Sequence, residues 1–598
     1  MSLLALLPLL LSLAICFAPI WLLRGLEHRR AQDYFVTSQY VRPEVIRNSS
    51  IAYGLRVAAL GPLFLWGARG DLWPAIIAAT CFGLGIYMVY ILRRPLLAFV
   101  DDALSRDQSI TVHEFVARQH GNHRRVRLLT SSLSLFALLG LMVAEVLAVA
   151  AVLKPMQPDS TWAVYMLVIG VIMLTVLQVF PAGQTGAMQS GQLQLGMLYL
   201  GLFGLAAVLL YLQVSALTST LPYSTFATAA ASACCAIMLA YRSSKYVDTY
   251  PVRLAPQSRP SRGARFLSRL GKIFNIAFSV LLILIIALAI LGFQARGVAP
   301  IVRDTAATLL SAAQMSALEL LALCLLPLLY PIVDVTTWQR LAAMRKANAG
   351  GLDLQRRPTL RRVFGMYAVE NCLVWLFMSL LGSLAIVTIG APGEADVPQR
   401  FVAQIVRGKQ IDVVAPSLLL IFVFGAALST MSGLLSASLC TIRYDALPGL
   451  WPEMAAGQTH PANEATARRR TLLAGAGLCL AVTAAFCCAQ ASLDANYASR
   501  VFLSLLLMSC CAQLSFAPLV LAPIIGRRRR GRSQPVGPRW ALMIVGFATA
   551  SAAAAVTFYL ATGIEAWLWA AVPVCIGSGW VIYVVARVHG ALQARNRG

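Results

Sequence analysis

The chain has 598 residues, 59% of them hydrophobic and only 12% charged, with a mean hydropathy of +0.73. Soluble chains carry about 25% charged residues, so this composition excludes a soluble globular protein and describes one that crosses a membrane many times. The 49 Lys and Arg outnumber the 24 Asp and Glu, giving a net charge of +25, and their positions decide whether the excess reflects nucleic acid or membrane topology.

A helix needs about 20 apolar residues to cross the hydrocarbon. In chain order such runs lie near residues 2–24, 50–68, 73–93, 128–153, 162–180, 192–213, 224–241, 272–294, 316–335, 363–389, 414–440, 471–490, 500–524, 540–561 and 566–588, giving fifteen predicted spans. With the N-terminus outside, forty of the 49 basic residues fall in cytoplasmic loops and the tail, eight fall on the opposite side, and Arg56 lies inside the second span. This positive-inside bias predicts a multi-pass protein of the inner (plasma) membrane, N-out and C-in. The run Arg527-Arg-Arg-Arg-Gly-Arg532 joins two spans at the membrane surface and reads as a topological anchor on anionic lipid, so no nucleic-acid partner is expected. In the first span the basic residues Arg24, Arg29 and Arg30 follow the apolar run, the order of a retained span and the reverse of a signal peptide.

All thirteen cysteines fall in predicted spans and read as small packing residues. No CxxC, HExxH, P-loop or Rossmann fingerprint occurs, so the sequence supports neither an enzyme, nor ATP-driven transport, nor a bound cofactor. His113, His120 and His123 are close in sequence, yet they lack Cys or carboxylate neighbours at ligand spacing and are expected to be solvated loop residues.

Two spans carry helix breakers. The second holds Gly54, Gly61 and Pro62 with Arg56 among them, and the ninth holds Pro327 and Pro331 before Asp334. In hydrocarbon an unpaired backbone group costs several kcal/mol, so interrupted helices are expected only where they line a cavity. Each broken helix opens a set of five spans, and an odd number per set, with an even number between, makes the two sets opposite in orientation. The predicted architecture is therefore all-α and polytopic, a five-plus-five inverted repeat with extra helices. Its expected segments are an N-terminal extra span and cytoplasmic loop (1–49), a first repeat (50–213), an inserted helix pair with a basic cytoplasmic loop (214–315), a second repeat (316–524) and two C-terminal peripheral spans with a basic tail (525–598).

Several segments resemble the sodium/solute symporter family. Thr111-Val-His-Glu-Phe115 with Arg118 and Gly121 is similar to its T-x-x-E-F-x-x-R-x-G loop, and Asp334-Val-Thr-Thr-Trp-Gln-Arg340 with Ala343 to its D-x-x-x-x-Q-R-x-x-A. Gly183-Gln-Thr-Gly-Ala187 with Ser190 and Gln194 resembles a third loop, although Gly191 stands where that family has Asp. The eleventh span, Ala426-Ala-Leu-Ser-Thr430 through Asp445, is similar to A-A-x-x-S-T-x-x-x-x-L-x-x-S-x-x-x-x-D. The resemblance implies a leucine-transporter-type fold and a sodium site made by the Ala426 carbonyl, the Ser429 and Thr430 hydroxyls and the carbonyls of Ile51 and Gly54. Hard cations take several oxygen ligands, which suits this set. It also implies that Tyr330 closes the substrate off from the cytoplasm. Tyr53 replaces the Asp that some members place in the first core helix, and the sugar branch's midspan polar residues are not recognisable, which argues against a sugar.

Ionisable residues inside a membrane are functional candidates by default. Arg56 and Glu145 are expected either to bind a carboxylate and an amine of an amino-acid-like solute or to form a buried ion pair. Glu370 and Asn371 join Tyr330 as substrate-site candidates, and Tyr330, Asp334 and Arg340 form the expected cytoplasmic gate. The sequence thus predicts a secondary active symporter of a small organic solute, amino-acid-like or carboxylate, coupled to Na+ by resemblance, with H+ coupling through Glu145 as a variant. A membrane sensor on the same fold is the competing reading, with a partner protein docked on loop 242–272.

Overall fold

The computed structural model describes residues 34–36, 41, 43–68, 72–105, 110–156, 161–216, 315–349, 360–389, 414–451, 461–492, 495–530 and 536–596. The spans predicted at 2–24, 224–241 and 272–294, and loop 242–272, lie outside the described residues.

The first set opens with α1 (Pro43–Gly54) and α2 (Val57–Ala68), one span bent by 55°. There follow α3 (Trp73–Ile91), the short helices α4 (Arg93–Ser105) and α5 (Val112–Gln119), α6 (Arg124–Leu153) and α7 (Thr161–Ala216). The second set opens with α8 (Ala317–Val333) and α9 (Val335–Ala349), bent by 45°. It continues with α10 (Leu360–Ile389) and α11 (Val414–Thr441), the latter prolonged by a π turn over Ile442–Ala446 and a one-turn helix, Leu447–Leu450. Then come α12 (Pro461–Ser492), α13 (Ala495–Leu514) and α14 (Ala517–Arg530), and a final hairpin of α15 (Pro538–Thr562) and α16 (Glu565–Arg595).

Among the described residues nine helices are long and apolar enough to span, or up to eleven with each bent pair taken as one. At 1.5 Å per residue the 56-residue α7 would run about 84 Å if straight, far beyond a hydrocarbon core of about 30 Å. It folds back at Gly183, whose φ of 57° and ψ of −146° suit only glycine. The reversal brings Gln194 Nε2 to 3.1 Å from Gln178 Oε1, a pair that a straight helix would hold about 24 Å apart. The Tyr34 hydroxyl seals the turn by donating to the Phe180 carbonyl at 2.8 Å. Residues 162–180 and 192–213 are therefore two spans, as their separate apolar runs predict.

Burial orders the bundle. The apolar window of the α11 span is 94% buried inside the protein against 22% for that of α12, so α11 is the central helix and α12 faces lipid. Helix α11 packs most extensively on α7 and also touches α6 and α1. At the seam between α2 and α10 the backbones touch: a methyl group on Gly67 would overlap the Ser379 carbonyl, and one on Gly382 the Phe64 carbonyl.

The breaks do not fall at the prolines. Pro62 lies within α2, and Pro327 and Pro331 within α8. The first chain break is at Leu55–Arg56 and the second at Asp334. A proline in a membrane helix is accommodated when neighbouring helices and local adjustments re-satisfy the freed carbonyl, whereas both interruptions here are fixed by side chains that cap the half-helix that follows.

Candidate functional site

At the first break the Leu55 N–H turns to the Ala52 carbonyl at 3.2 Å. This takes the Ile51 carbonyl out of the helical ladder and ends α1 with its carbonyls facing the gap. Helix α2 begins with N–H groups that have no intrahelical acceptor. Glu145, reaching across from α6, accepts two of them, Val57 N at 2.8 Å on Oε1 and Ala58 N at 3.1 Å on Oε2. A carboxylate at a helix N-terminus is favourable for hydrogen bonding and for the macrodipole alike. The second break repeats the device locally: Asp334 accepts from the Thr336 N–H at 3.4 Å and from the hydroxyls of Thr336 and Thr337, at the start of α9.

Across the first break stands α11. Ser429 and Thr430 on this helix are 3% and 0% exposed, and neither hydroxyl bonds back into its own helix, as such hydroxyls ordinarily do and as Ser438 does to the Leu434 carbonyl. Thr430 stands beside the Glu145 carboxylate. The Gly54 carbonyl receives Trp375 Nε1 at 3.2 Å, and a carbonyl has a second lone pair for another partner. Ile51 and Ala426 are fully buried. Two buried hydroxyls and an off-ladder carbonyl, with the Glu145 carboxylate beside Thr430, make an oxygen-rich lining that fits a monovalent hard cation.

Arg56 is partly buried, and its guanidinium lies over the ring of Tyr53 at 4.4 Å and near that of Tyr330 at 5.5 Å. Of the two arrangements expected for Arg56 and Glu145, no ion pair within 4 Å is present, because both Glu145 oxygens face α2. Arg340 lies over the same Tyr53 ring at 4.1 Å and donates to Thr336 Oγ1 at 3.0 Å. Asp334 and Arg340 thus meet through Thr336. Glu370 is buried and accepts from the Tyr199 hydroxyl at 3.2 Å. Asn371 is fully buried, donates to the Tyr367 carbonyl at 3.0 Å, and presses its Oδ1 against Gly54. Every candidate residue of the substrate and gate sets is therefore at or next to a helix break, except Glu370, which is one turn of α10 from Tyr367.

The loop histidines correct the sequence reading. His113 and His120 are 0% and 1% exposed. His113 bridges Asp445 Oδ2 at 3.0 Å through Nδ1 and Ser134 Oγ at 2.7 Å through Nε2, while Thr111 Oγ1 donates to Asp445 Oδ1 at 2.8 Å. The cluster joins the α5 loop, α6 and the π turn after α11. His120 donates from Nδ1 to the Val536 carbonyl at 2.8 Å, and burial lowers its pKa from the ordinary 6.5. Their partners, Asp445 and Val536, are more than 300 residues away, so little local in the sequence marks their burial. The one local signal is Thr111-x-x-Glu114, a capping-box pattern: Thr111 Oγ1 does accept the Glu114 N–H at 3.2 Å. The Glu114 side chain turns instead to Arg118 at 2.6 Å and Arg127 at 2.5 Å. Among the described residues no three His, Cys, Asp or Glu side chains are grouped to hold a metal ion.

Two five-helix sets, each opened by a broken helix, make an all-α, multi-pass membrane protein with the leucine-transporter-type five-plus-five inverted-repeat fold. The solved structure of a Na+-coupled sialic acid symporter, substrate-bound and outward-open, matches this chain over 98% of each chain, with a TM-score of 0.62 and 12% sequence identity. A nucleobase-cation-symport-1 family transporter in a closed conformation with bromovinylhydantoin bound aligns over 93% of this chain and 96% of its own, with a TM-score of 0.36 and 13% identity. No protein-family model matches the sequence, and neither does any curated protein.

Proposed function

We propose that this protein is a cation-coupled symporter of the sodium/solute type that carries a small organic carboxylate into the cell by alternating access. One observation carries the reading: Ser429 and Thr430, whose buried hydroxyls do not bond back into α11, lie on the helix that packs against α1, and the last turn of α1 leaves the Ile51 carbonyl off the ladder. The sodium coupling of the sialic acid symporter with the same fold supports Na+ as the ion. The solute carboxylate meets Arg56, a partly buried cation whose guanidinium lies against the rings of Tyr53 and Tyr330. Asn371, against Gly54, borders the same break, Glu370 beside it is the further solute candidate, and Tyr330, Asp334 and Arg340 form the cytoplasmic gate.

In this scheme the cation bridges α1 and α11, closing the site around the solute. Rocking of the broken helices against α6 and α11 then opens the Tyr330 side. The test is uptake into proteoliposomes driven by an imposed sodium gradient, with a panel of small carboxylates. Ser429→Ala with Thr430→Ala is expected to raise the sodium concentration for half-maximal uptake at least about tenfold. Uptake with unchanged sodium dependence overturns the cation site.

A further inference from the structure

The five oxygens of the proposed cation site are all uncharged, and a bare cation in low dielectric needs a counter-charge. We infer that Glu145 supplies it, so that one carboxylate is both the electrostatic partner of the coupling cation and the tie that holds half-helix α2 to α6. The inference rests on the cation-site reading above and adds a residue to it from outside the α1–α11 pair.

Three observations converge. Glu145 is 1% exposed and lies deep in α6, where an ionisable side chain is retained only for a reason. Its two oxygens already hold Val57 and Ala58, the first residues of α2. The same carboxylate borders one of the proposed ligands, with the Thr430 side chain beside it. The break therefore has an ordered electrostatic profile: the carbonyl end of α1, the proposed cation, the Glu145 carboxylate and the N–H end of α2. Each member faces an opposite partial or full charge.

The arrangement makes cation occupancy and helix position one variable. Without the cation, the carboxylate is held only by the N–H groups of α2. With it, Glu145 is drawn toward Thr430 while still capping α2, and the two helix halves close on α6 and α11 together. A substrate-amine role for Glu145 does not follow, because both oxygens are already taken up by the N–H groups of α2.

The experiment measures thermal stabilisation of the purified full chain as sodium chloride is titrated at constant ionic strength, with choline replacing sodium. Glu145→Gln keeps a carbonyl acceptor for α2 and removes the charge. Its sodium midpoint is expected to rise at least about tenfold, a readout that a purely structural cap would not move. Glu145→Asp keeps the charge on a shorter arm and is expected to stay within about fivefold of the wild type. It also serves if the glutamine variant does not fold, since a shift as large as that of Ser429→Ala with Thr430→Ala then overturns the inference. If the hydroxyl variants raise the midpoint and Glu145→Gln does not, the counter-charge role fails and the cation site stands. If neither moves it, both fail.

Discussion

Gly54→Ala is the substitution whose consequence follows most directly from the coordinates. A methyl group built on Gly54 would overlap Asn371 Oδ1 and lie 2.8 Å from Asn371 Cγ. Either the end of α1 retreats from α10 or the Asn371 amide turns away. Both options carry a penalty, because Asn371 is fully buried and its Nδ2 is held by the Tyr367 carbonyl at 3.0 Å. Overpacking of a filled core costs about 1–3 kcal/mol and a hydrogen bond about 1 kcal/mol, so a loss of about 2–3 kcal/mol is expected. The overlap is with one side chain only, so Asn371→Ala should remove it. The double variant is then expected to lose at least about 1 kcal/mol less than the sum of the single losses. Thermal melts of the four proteins in the same detergent give this coupling directly. Additivity within about 0.5 kcal/mol, the behaviour of independent sites, would refute the claim that Gly54 is small because Asn371 occupies its Cβ position.

Two further outcomes come from the cytoplasmic cluster. Asp445→Ala leaves His113 without its carboxylate in a fully buried setting. Leaving a buried hydrogen-bonding group unsatisfied costs about 1–3 kcal/mol, so a clear drop in melting temperature is expected, and a change below about 0.5 kcal/mol would contradict the cluster's structural role. For His120, burial lowers the folded-state pKa below the ordinary 6.5. The unfolded chain therefore takes up the proton first, and stability falls as pH drops below about 6.5. His120→Asn keeps an N–H for the Val536 carbonyl and removes the titration, so its melting temperature should fall less between pH 7.5 and 5.5 than that of the wild type. Equal falls would contradict the assignment.

The spans and the pairing of two broken helices were legible in the sequence because they depend on local quantities: apolar run length, loop charge and helix breakers. The position of each break was not. Pro62, Pro327 and Pro331 announce a helix under strain, yet the chain parts where Glu145 and Asp334 satisfy the next half-helix, and the first of these lies 88 residues from the N–H it caps. The same limit hid the burial of His113, whose partner is 332 residues away. The hydroxyls of Ser429 and Thr430 stood out only through a resemblance, since nothing in a Ser-Thr pair says whether its oxygens bond back to the helix. That these do not is a property of packing.

The seam at Gly67 and Gly382 bears on how motion in this protein is to be observed. With carbonyls of α2 and α10 seated where side chains would otherwise stand, the two helices have no compressible layer between them and move as a single lever. A probe placed on the lipid-facing side of α10, for instance at the exposed Val369, therefore reports the displacement of α2. The movement proposed for the half-helix that Glu145 caps can be followed without a label near the proposed cation site.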